Sequence, residues 1–252
     1  MSGRVRDRIA LHLSFDYHPI MMDWLTLPRT PEPEFMESAE EAEVYASAAA
    51  QRYLDAIDNT LVDMIARLGV TSGRLLDVGC GPGNIALKLA KRFPKMWVVG
   101  VDYATNMVRA ASAAASGQGL TGQGEFFSGD AKNLPFRDAT FDWVLSNSVL
   151  HHLHDPMALL NEMGRVVKPE GVAVLRDLRR PCRLAFPLHV RWYGRHYSGL
   201  MKALYTDSVR AAYTGEELSR MLAGSRLAVA KVYYHERTHL GFVYDGRVSG
   251  VS

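Results

Sequence analysis

The chain has 252 residues, of which 48% are hydrophobic and 22% are charged, and its formal net charge is +2. This composition is typical of a folded domain and argues against a disordered or fibrous chain, while two cysteines are too few for a disulfide scaffold. The basic N-terminus lacks a continuous apolar stretch, and no apolar run approaches the roughly 18 residues of a membrane span, so we expect a cytoplasmic protein.

The first 70 residues predict an arm followed by a long amphipathic helix. Pro28, Pro31 and Pro33 prevent a continuous helix early in this region. Residues 38–68 are rich in Ala, Glu, Leu and Arg, and their apolar side chains recur every three or four positions until Gly69. This spacing is typical of a helix that buries one face.

Residues 71–178 alternate between short apolar runs and helical patterns. Strands are expected at 74–78, 97–101, 125–128, 141–145 and 172–175, and helices at 84–92, 105–115 and 156–167. A stretch rich in Gly, Ser and Gln at 116–124 is expected to be a surface loop, and a helix at 214–223 and strands near 227–234 and 238–244 follow an insertion. The alternation predicts an α/β fold with a mostly parallel seven-stranded sheet and helices on both faces.

A glycine-rich turn follows the first predicted strand. The sequence LLDVGCGPGN spans residues 75–84 and places Gly79, Gly81 and Gly83 at alternate positions. Because glycine has no side chain, such a turn lets the backbone pass close to a bound ligand, although a purely structural tight turn is an alternative. A nicotinamide-binding turn needs its third glycine one residue later, where Asn84 stands, so the spacing argues against a dehydrogenase.

Polar residues also follow the next three predicted strands. Asp102 follows the second strand, where a carboxylate can hold a ribose diol, and Asp130 and Asn147 follow the third and fourth. Each aspartate taken alone is more often a helix cap or a turn residue. Because ligands bind at the carboxyl ends of strands in open α/β sheets, the set together predicts a nucleoside site.

The ordered motifs resemble those of class I S-adenosylmethionine-dependent methyltransferases with a methyltransferase type 11-like domain. They are most similar to the small-molecule group that includes the ubiquinone and menaquinone methyltransferases. The resemblance covers residues 73–177 and rests on the glycine turn, VD at 101–102, GDA at 129–131, FD at 141–142, LHHL at 150–153 and RVVKPEG at 165–171. Glu170 departs from it, since many relatives carry glycine there, in a turn expected to lie away from the cofactor.

The resemblance implies a Rossmann-like fold, S-adenosylmethionine as cofactor and a role for several residues. It places the three turn glycines against the methionine portion of the cofactor. Asp102 would take the ribose hydroxyls, Tyr103 would lie beside adenine, and Asp130 with the Ala131 amide would contact the adenine edge. Asn147 would face the methyl group. The expected cofactor site thus consists of Asp77, Gly79, Gly81, Gly83, Asp102, Tyr103, Asp130, Ala131 and Asn147.

Methyl transfer from a sulfonium needs alignment of the acceptor and exclusion of water more than it needs a metal. A base helps when the acceptor is a hydroxyl, a thiol or an acidic carbon. His151 and His152 follow the fourth strand beside the expected methyl site and are the candidate bases, with an architectural role as the alternative. No metal site is expected, since the cysteines are far apart and the histidines lack helical ligand spacing.

The insertion after the fifth strand carries an unusual charge. Residues 176–210 carry a formal charge of +6, against about −4 for the remainder of the chain. Within them, basic and aromatic side chains recur at helical spacing, which predicts a basic amphipathic helix in a lid at 183–207. We expect an anionic or aromatic acceptor to contact Arg191, Tyr193, Arg195 and Tyr197, while an ordinary solvated helix is the alternative.

The expected organisation has four parts. They are an arm and helix contributing to the lid at 1–70, a cofactor-binding core at 71–178, an inserted lid at 179–213, and a closing helix and strands at 214–252. The partner is expected to be a small-molecule acceptor methylated by direct in-line transfer. Nucleic acid is not expected, because positive charge is confined to one segment. The alternatives are a catalytically silent cofactor-binding subunit, a lipid, quinone or macromolecular acceptor, and the less favoured contact with a membrane surface.

Overall fold

A computed structural model describes residues 23–33, 48–69 and 71–249 of the chain. Seven strands form one sheet in the order β3-β2-β1-β4-β5-β7-β6, in which β7 is antiparallel to both of its neighbours and the other pairs are parallel. The strands are β1 (Ser72–Val78), β2 (Lys95–Asp102), β3 (Gly124–Ser128), β4 (Phe141–Asn147), β5 (Val167–Leu178), β6 (Lys231–His235) and β7 (His239–Asp245).

Helices cover both faces of this sheet. They are α1 (Ala48–Arg67), α2 (Asn84–Arg92), α3 (Thr105–Gly117), α4 (Pro156–Val166), α5 (Phe186–Tyr193), α6 (Gly199–Ala211), α7 (Gly215–Ala223) and α8 (Gly246–Ser249). Short 3-10 turns occur at Asp23–Leu25, Leu150–His152 and Gly194–His196. No helix among the described residues is both long and apolar enough to cross a membrane.

Local sequence explains where these helices begin. Thr214 caps α7, accepting a hydrogen bond from the backbone of Glu217, whose own side chain bonds back to the Thr214 amide. Asp155 accepts from the amide of Ala158 at the start of α4, and Pro156 occupies its first turn. These caps supply hydrogen bonds that the first turn of a helix lacks.

Two hydrophobic clusters fill the space between sheet and helices. One packs α4 and α7 against the sheet around Phe141, Leu160 and Phe242. The other cluster packs α1 and α2 against the opposite face of the sheet, around Leu61, Ile65 and Leu89. β1 lies in the middle, between β2 and β4, so the carboxyl ends of the three strands meet at one edge.

The predicted fold class is confirmed, while the bounds of several elements differ from the prediction. Helix α3 runs to Gly117, which takes two residues of the stretch expected to be a loop. The strand expected from 227 begins only at Lys231, because Ala230 donates to the Leu227 carbonyl in a tight turn (2.9 Å). The amphipathic helix expected at 38–68 is described from Ala48 to Arg67, while its residues 38–47 lie outside the described part.

Candidate active site

The turn between β1 and α2 brings the three predicted glycines to the edge of the sheet. Gly79, Gly81 and Gly83 have φ of 72°, 52° and 82°, in the left-handed region that disfavours side chains. A side chain at Gly79 would collide with Val149, whereas one at Gly81 would meet no atom within 4 Å. Gly81 therefore faces open space on the ligand side of the turn, as a bound cofactor would need.

The Asp102 side chain, at the end of β2, is hydrogen-bonded to this turn. Its Oδ2 accepts a hydrogen bond from the Gly81 amide at 2.8 Å, and its Oδ1 accepts from the Ala104 amide at 2.9 Å. Each carboxylate oxygen can accept more than one hydrogen bond, so the group keeps capacity for a hydroxyl ligand. The carboxylate expected to hold ribose thus lies at the glycine turn.

Two further carboxyl groups are buried beneath the turn. Burial raises the pKa of Asp77 to about 7, and the nearby carboxylates of Asp58 and Asp102 add to the effect. Burial also raises the pKa of Asp58, in α1, to about 6, although Arg176 opposes it. Asp77 accepts from the Ala86 backbone in α2. The buried Asp77 side chain is therefore part of the packing beneath the glycine turn.

The remaining predicted cofactor residues lie after β2, β3 and β4. Tyr103 is largely exposed beside Asp102. Asp130 accepts from the Lys132 amide at 2.8 Å, in a turn whose Ala131 packs against the core. Asn147 ends β4, where its Oδ1 accepts from Arg176 Nε at 2.7 Å. All of them are at the edge where the parallel strands end.

Arg176 is a buried cation that the sequence analysis did not single out. Besides Asn147, its guanidinium donates to the Ile57 carbonyl at 2.8 Å and to Thr60 Oγ1 at 3.2 Å, and it lies 3.6 Å from the Asp58 carboxylate. It therefore ties β4 and β5 to α1. The strand sequence is continuously apolar from Val172 to Leu175, and it gave no local signal that the arginine after it would be buried as well.

A cavity of about 300 Å³ opens on the other side of Thr60. It lies between α1, the end of α5 and the hairpin that joins β6 to β7. Thr60 Oγ1 lies 2.7 Å from His235 Nε2, so hydrogen bonds run from Asn147 through Arg176 to the cavity wall. The lining residues are Ala56, Ile57, Thr60, Tyr193, His235, Glu236, Arg237, Thr238 and His239.

The surroundings of the two cavity histidines, His235 and His239, favour the neutral form of their rings. Burial lowers the pKa of His235, and the positive charge of Arg176 lowers it further. The same two causes hold the pKa of the fully buried His239 well below its usual value. The cavity therefore has apolar and aromatic walls and neutral hydrogen-bonding groups. The two charged residues that line it, Glu236 and Arg237, are exposed and of opposite sign.

His151 is held deep in the structure by Asp177. Its Nδ1 pairs with Asp177 Oδ1, and its backbone amide donates to Asp177 Oδ2 at 3.1 Å. Burial alone lowers the pKa of His151, but the Asp177 and Glu32 carboxylates outweigh it and raise the pKa. Only 3% of this side chain is exposed. His151 is thus an ion-pair partner fixed at both backbone and ring.

His152 has a different environment from its neighbour. Its side chain is 27% exposed, and its Nδ1 lies 2.8 Å from Glu32 Oε1. Burial raises the pKa of Glu32, but hydrogen bonding to His152 and the charges of the two histidines outweigh it, so the net pKa is lowered. The sequence analysis missed Glu32 because it lies in the arm, far along the chain from the histidines.

The arm itself is fastened next to this cluster. Arg29 donates to the carbonyls of Ala211 (2.6 Å) and His151 (2.9 Å), and its guanidinium lies over the Tyr213 ring. The Thr30 amide donates to the Arg210 carbonyl at 3.2 Å. The proline-rich arm therefore crosses between the histidines and the end of α6.

Three of these side chains have atoms close enough to hold a metal ion. One ligand atom each from Glu32, His151 and His152 lies within 4.8 Å of the others. Asp177 also pairs with the His151 ring, and Arg29 donates to the His151 carbonyl, so neighbouring side chains and backbone already engage this cluster. The expectation of no metal site stays a prediction.

The four residues expected to contact the acceptor are not brought together. Tyr193 lines the cavity, whereas Arg191 and Arg195 are exposed. Arg195 donates to the Trp192 carbonyl and stacks over its ring. Tyr197 is buried, with its ring 5.3 Å from that of Tyr205. His235 and Thr60 share the cavity with Tyr193, and neither was predicted as a site residue. The two histidines of the hairpin sequence HERTH, at residues 235–239, are a signal that could have indicated it.

Comparison with known protein families agrees with this geometry. A family profile described as a methyltransferase domain matches residues 76–175. Demethylmenaquinone methyltransferase of Geobacillus kaustophilus is 32% identical over 164 residues, covering 64% of this chain and 70% of the relative. The ubiquinone/menaquinone biosynthesis C-methyltransferase of Desulfotalea psychrophila is 32% identical over 143 residues and covers 56% of each chain.

Solved structures share the fold. The YcgJ protein of Bacillus subtilis is 27% identical, covers 69% of each chain and superposes with a TM-score of 0.54. The plantazolicin methyltransferase BpumL, solved with S-adenosylhomocysteine, covers 83% of this chain and 91% of its own with a TM-score of 0.67, but at 15% identity it is similar in fold alone. The matched relatives and the glycine turn lead to one identification. This chain belongs to the class I S-adenosylmethionine-dependent methyltransferases, and it is an enzyme that uses S-adenosylmethionine as its cofactor.

Proposed function

We propose that the enzyme methylates a small aromatic acceptor bound in the cavity beside Thr60. The main support for this proposal is the chain of hydrogen bonds from Asn147 through Arg176 to Thr60 and His235. It links the strand end expected to face the methyl group to the cavity wall. The relatives named for menaquinone and ubiquinone synthesis support an aromatic, quinone-related acceptor.

The cofactor would lie along the glycine turn. We assign its methionine portion to the open side of Gly81 and its ribose hydroxyls to Asp102, whose oxygens already accept two backbone hydrogen bonds. Tyr103 would cover adenine, and Asp130 with the Ala131 amide would contact the adenine edge. Asn147, oriented by Arg176, would lie nearest the methyl group.

Bound S-adenosylmethionine supplies an activated methyl group, so the protein mainly has to orient the acceptor and exclude water. The walls formed by Ile57 and Tyr193 suit an aromatic ring, and His235, held by its hydrogen bond to Thr60, suits a hydroxyl or carbonyl on it. Because Glu236 and Arg237 offset each other in charge, the cavity favours an acceptor without net charge.

Proton transfer is assigned to His152 rather than His151. His151 is enclosed by Asp177 and Glu32, so its proton is held in an ion pair. His152 keeps an exposed side and pairs with Glu32 through Nδ1, so its Nε2 is the better placed of the two histidines to accept a proton. His152 does not line the cavity beside Thr60, so an acceptor hydroxyl would have to reach it from there. His151 acts as a positioning residue that fixes its neighbour.

The proposal is tested with a panel of hydroxylated aromatic acceptors, including quinols, while release of S-adenosylhomocysteine is measured. Thr60→Val removes the hydroxyl but keeps the shape, and should raise the acceptor KM about tenfold while leaving cofactor affinity unchanged. Thr206→Val is the matched control, because Thr206 makes the same type of hydrogen bond to its own helix.

Two results would contradict the proposal. One is binding of S-adenosylhomocysteine without turnover of any aromatic acceptor, which would support the silent cofactor-binding alternative. The other is equal kinetics for the Thr60→Val and Thr206→Val variants, which would remove the cavity from acceptor binding.

A further inference from the structure

Three large apolar side chains are exposed along α5 and the turn that leads into it. Leu184, Leu188 and Trp192 are 65%, 70% and 64% exposed. Their spacing of four places them along one face of the helix. Phe186 and His189 lie on the other side and are buried. The helix therefore uses one face for the core and presents a second apolar face to the outside.

A second exposed tryptophan, Trp24, is next in sequence to a residue that contacts the turn before α5. The Arg183 amide donates to the Leu25 carbonyl at 2.8 Å, which fastens the arm to the turn before α5. Trp24 is adjacent to that contact in sequence and is 58% exposed. Exposing two indole rings to water costs free energy. Exposed apolar patches of this kind mark interaction sites.

The charged side chains that the insertion contributes to this face are all arginines. Arg183, Arg191 and Arg195 are exposed next to the apolar side chains, and the Arg195 guanidinium lies 4.8 Å from the Trp192 ring centroid. No acidic residue lies between positions 178 and 206. We call the set Leu184, Leu188, Trp192, Arg183, Arg191 and Arg195 the α5 face.

We propose that the α5 face docks on the surface of an anionic phospholipid bilayer. Apolar side chains with tryptophan at the headgroup level and arginines around them are the composition of helices that lie in a membrane interface. Anionic headgroups attract the arginines, while Leu184, Leu188 and Trp192 leave water for the acyl boundary. A second copy fits less well, because a two-fold contact would bring the arginines of both copies together.

Docking of this kind would set the orientation of the enzyme. Tyr193 follows Trp192 directly and lines the cavity, so the docked helix would hold the cavity next to the lipid surface. A poorly water-soluble acceptor could then enter from the bilayer. The docking itself rests on the α5 face alone and does not depend on the identity of the acceptor.

The test is co-sedimentation of the full chain with vesicles of phosphatidylcholine mixed with phosphatidylglycerol, against vesicles of phosphatidylcholine alone. We expect binding to the mixed vesicles that weakens as salt is raised. The double variant Leu188→Gln with Trp192→Gln should weaken binding at least about tenfold. Arg191→Gln and Arg195→Gln should each weaken it about fivefold.

Matched controls come from exposed residues elsewhere in the structure. Val229→Gln with Val248→Gln removes apolar side chains that are equally exposed, and Arg220→Gln removes an exposed arginine. Because all substituted positions are exposed, the variants should keep the wild-type thermal midpoint. The α5 variants should differ from these controls only in vesicle binding.

Four outcomes would overturn the proposal. They are absence of binding to mixed vesicles at low salt, α5 variants that bind like the controls, displacement by soluble glycerol 3-phosphate, and a concentration-dependent dimer that the Leu188 and Trp192 substitutions abolish. The third would assign the arginines to a free phosphate, and the fourth would assign the face to a second copy.

Discussion

Glu32 and His152 join two distant parts of the chain, with Glu32 Oε1 lying 2.8 Å from His152 Nδ1. Glu32 stands between Pro31 and Pro33 in the arm, and His152 follows β4 at the edge where the strands end. Ser208 in α6 also donates to both carboxylate oxygens of Glu32. One buried carboxylate thus fastens the arm to the histidine pair and to the inserted helices.

Replacing this carboxylate should loosen the arm. Glu32→Gln removes the charge that the two histidines and Ser208 surround, so the Thr30 amide, which donates to the Arg210 carbonyl, should exchange with solvent at least about tenfold faster. Hydrogen exchange measures this directly. Glu216→Gln, in an exposed pair with Arg220, is the control. Unchanged exchange at Thr30 would mean that other contacts hold the arm.

The two histidines should have different effects on catalysis. His152→Gln should lower kcat and remove the acidic limb of the pH–rate profile, because the proposed proton acceptor is lost. His151→Gln should instead lower the thermal midpoint, because it leaves the buried Asp177 carboxylate without its partner. Both variants should keep their affinity for S-adenosylhomocysteine. A His152→Gln enzyme with the full rate and an unchanged profile would place both residues in a purely structural role.

Asp77 should make stability depend on pH. Its carboxyl group has its pKa raised by burial from 3.8 to about 7, so the native state keeps a proton that the unfolded chain has already released. Stability therefore falls as pH rises from about 4 to 7, and Asp77→Asn should remove this fall, gaining up to about 4 kcal/mol over the wild type. Urea unfolding at pH 5 and pH 8 measures the difference.

Asp207→Asn, at an exposed position of α6, controls for the loss of one formal charge. The stabilisation by Asp77→Asn should be larger at pH 8 than at pH 5. If the advantage of Asp77→Asn over the wild type is the same at both pH values, the carboxyl does not titrate between them.

Asp102 should contribute most to affinity among the side chains of the turn. Asp102→Asn keeps one acceptor oxygen for the Gly81 or Ala104 amide but loses the charge, so S-adenosylhomocysteine should bind at least about tenfold more weakly. Calorimetry gives the affinity, and the thermal midpoint reports whether the turn is intact. Unchanged affinity in the folded variant would contradict the assignment of ribose to Asp102.

The placement of the expected cofactor residues at one edge of the sheet was predictable because its signals are local. The glycine turn, the carboxylate after β2 and the asparagine after β4 each follow an apolar strand, and parallel strands end at one edge. Knowing three strand ends was therefore enough to place Gly81, Asp102 and Asn147 together. The α2 bounds were predicted without error, since Gly83 and Phe93 interrupt the helical pattern on either side.

The acceptor side was not predictable to the same degree, because its contacts join distant segments. Nothing in the spacing of Thr60, Arg176 and His235 reveals that α1, β5 and the last hairpin meet. The single basic amphipathic helix predicted within residues 183–207 is wrong, because the backbone is extended at Tyr197 and Ser198 and separates α5 from α6. Periodicity also does not tell which face is buried. Tyr193 lines the cavity while Arg191 lies outside, and only packing decides between them.

Gly81 is the position at which binding of the cofactor to the open side of the glycine turn can be tested. Gly81 and Gly119 both have positive φ, 52° and 71°, and a Cβ at either would meet no protein atom within 4 Å. Gly81→Ala and Gly119→Ala should therefore incur the same backbone strain, about 1–2 kcal/mol of stability each. Only the Gly81 methyl group would enter the space assigned to the cofactor.

The measurement is calorimetric binding of S-adenosylhomocysteine to the two variants and the wild type. Gly119→Ala should bind like the wild type, and Gly81→Ala should bind at least about tenfold more weakly, because its methyl group occupies the ligand side of the turn. Wild-type affinity in a folded Gly81→Ala protein would contradict the assignment of this turn to the cofactor.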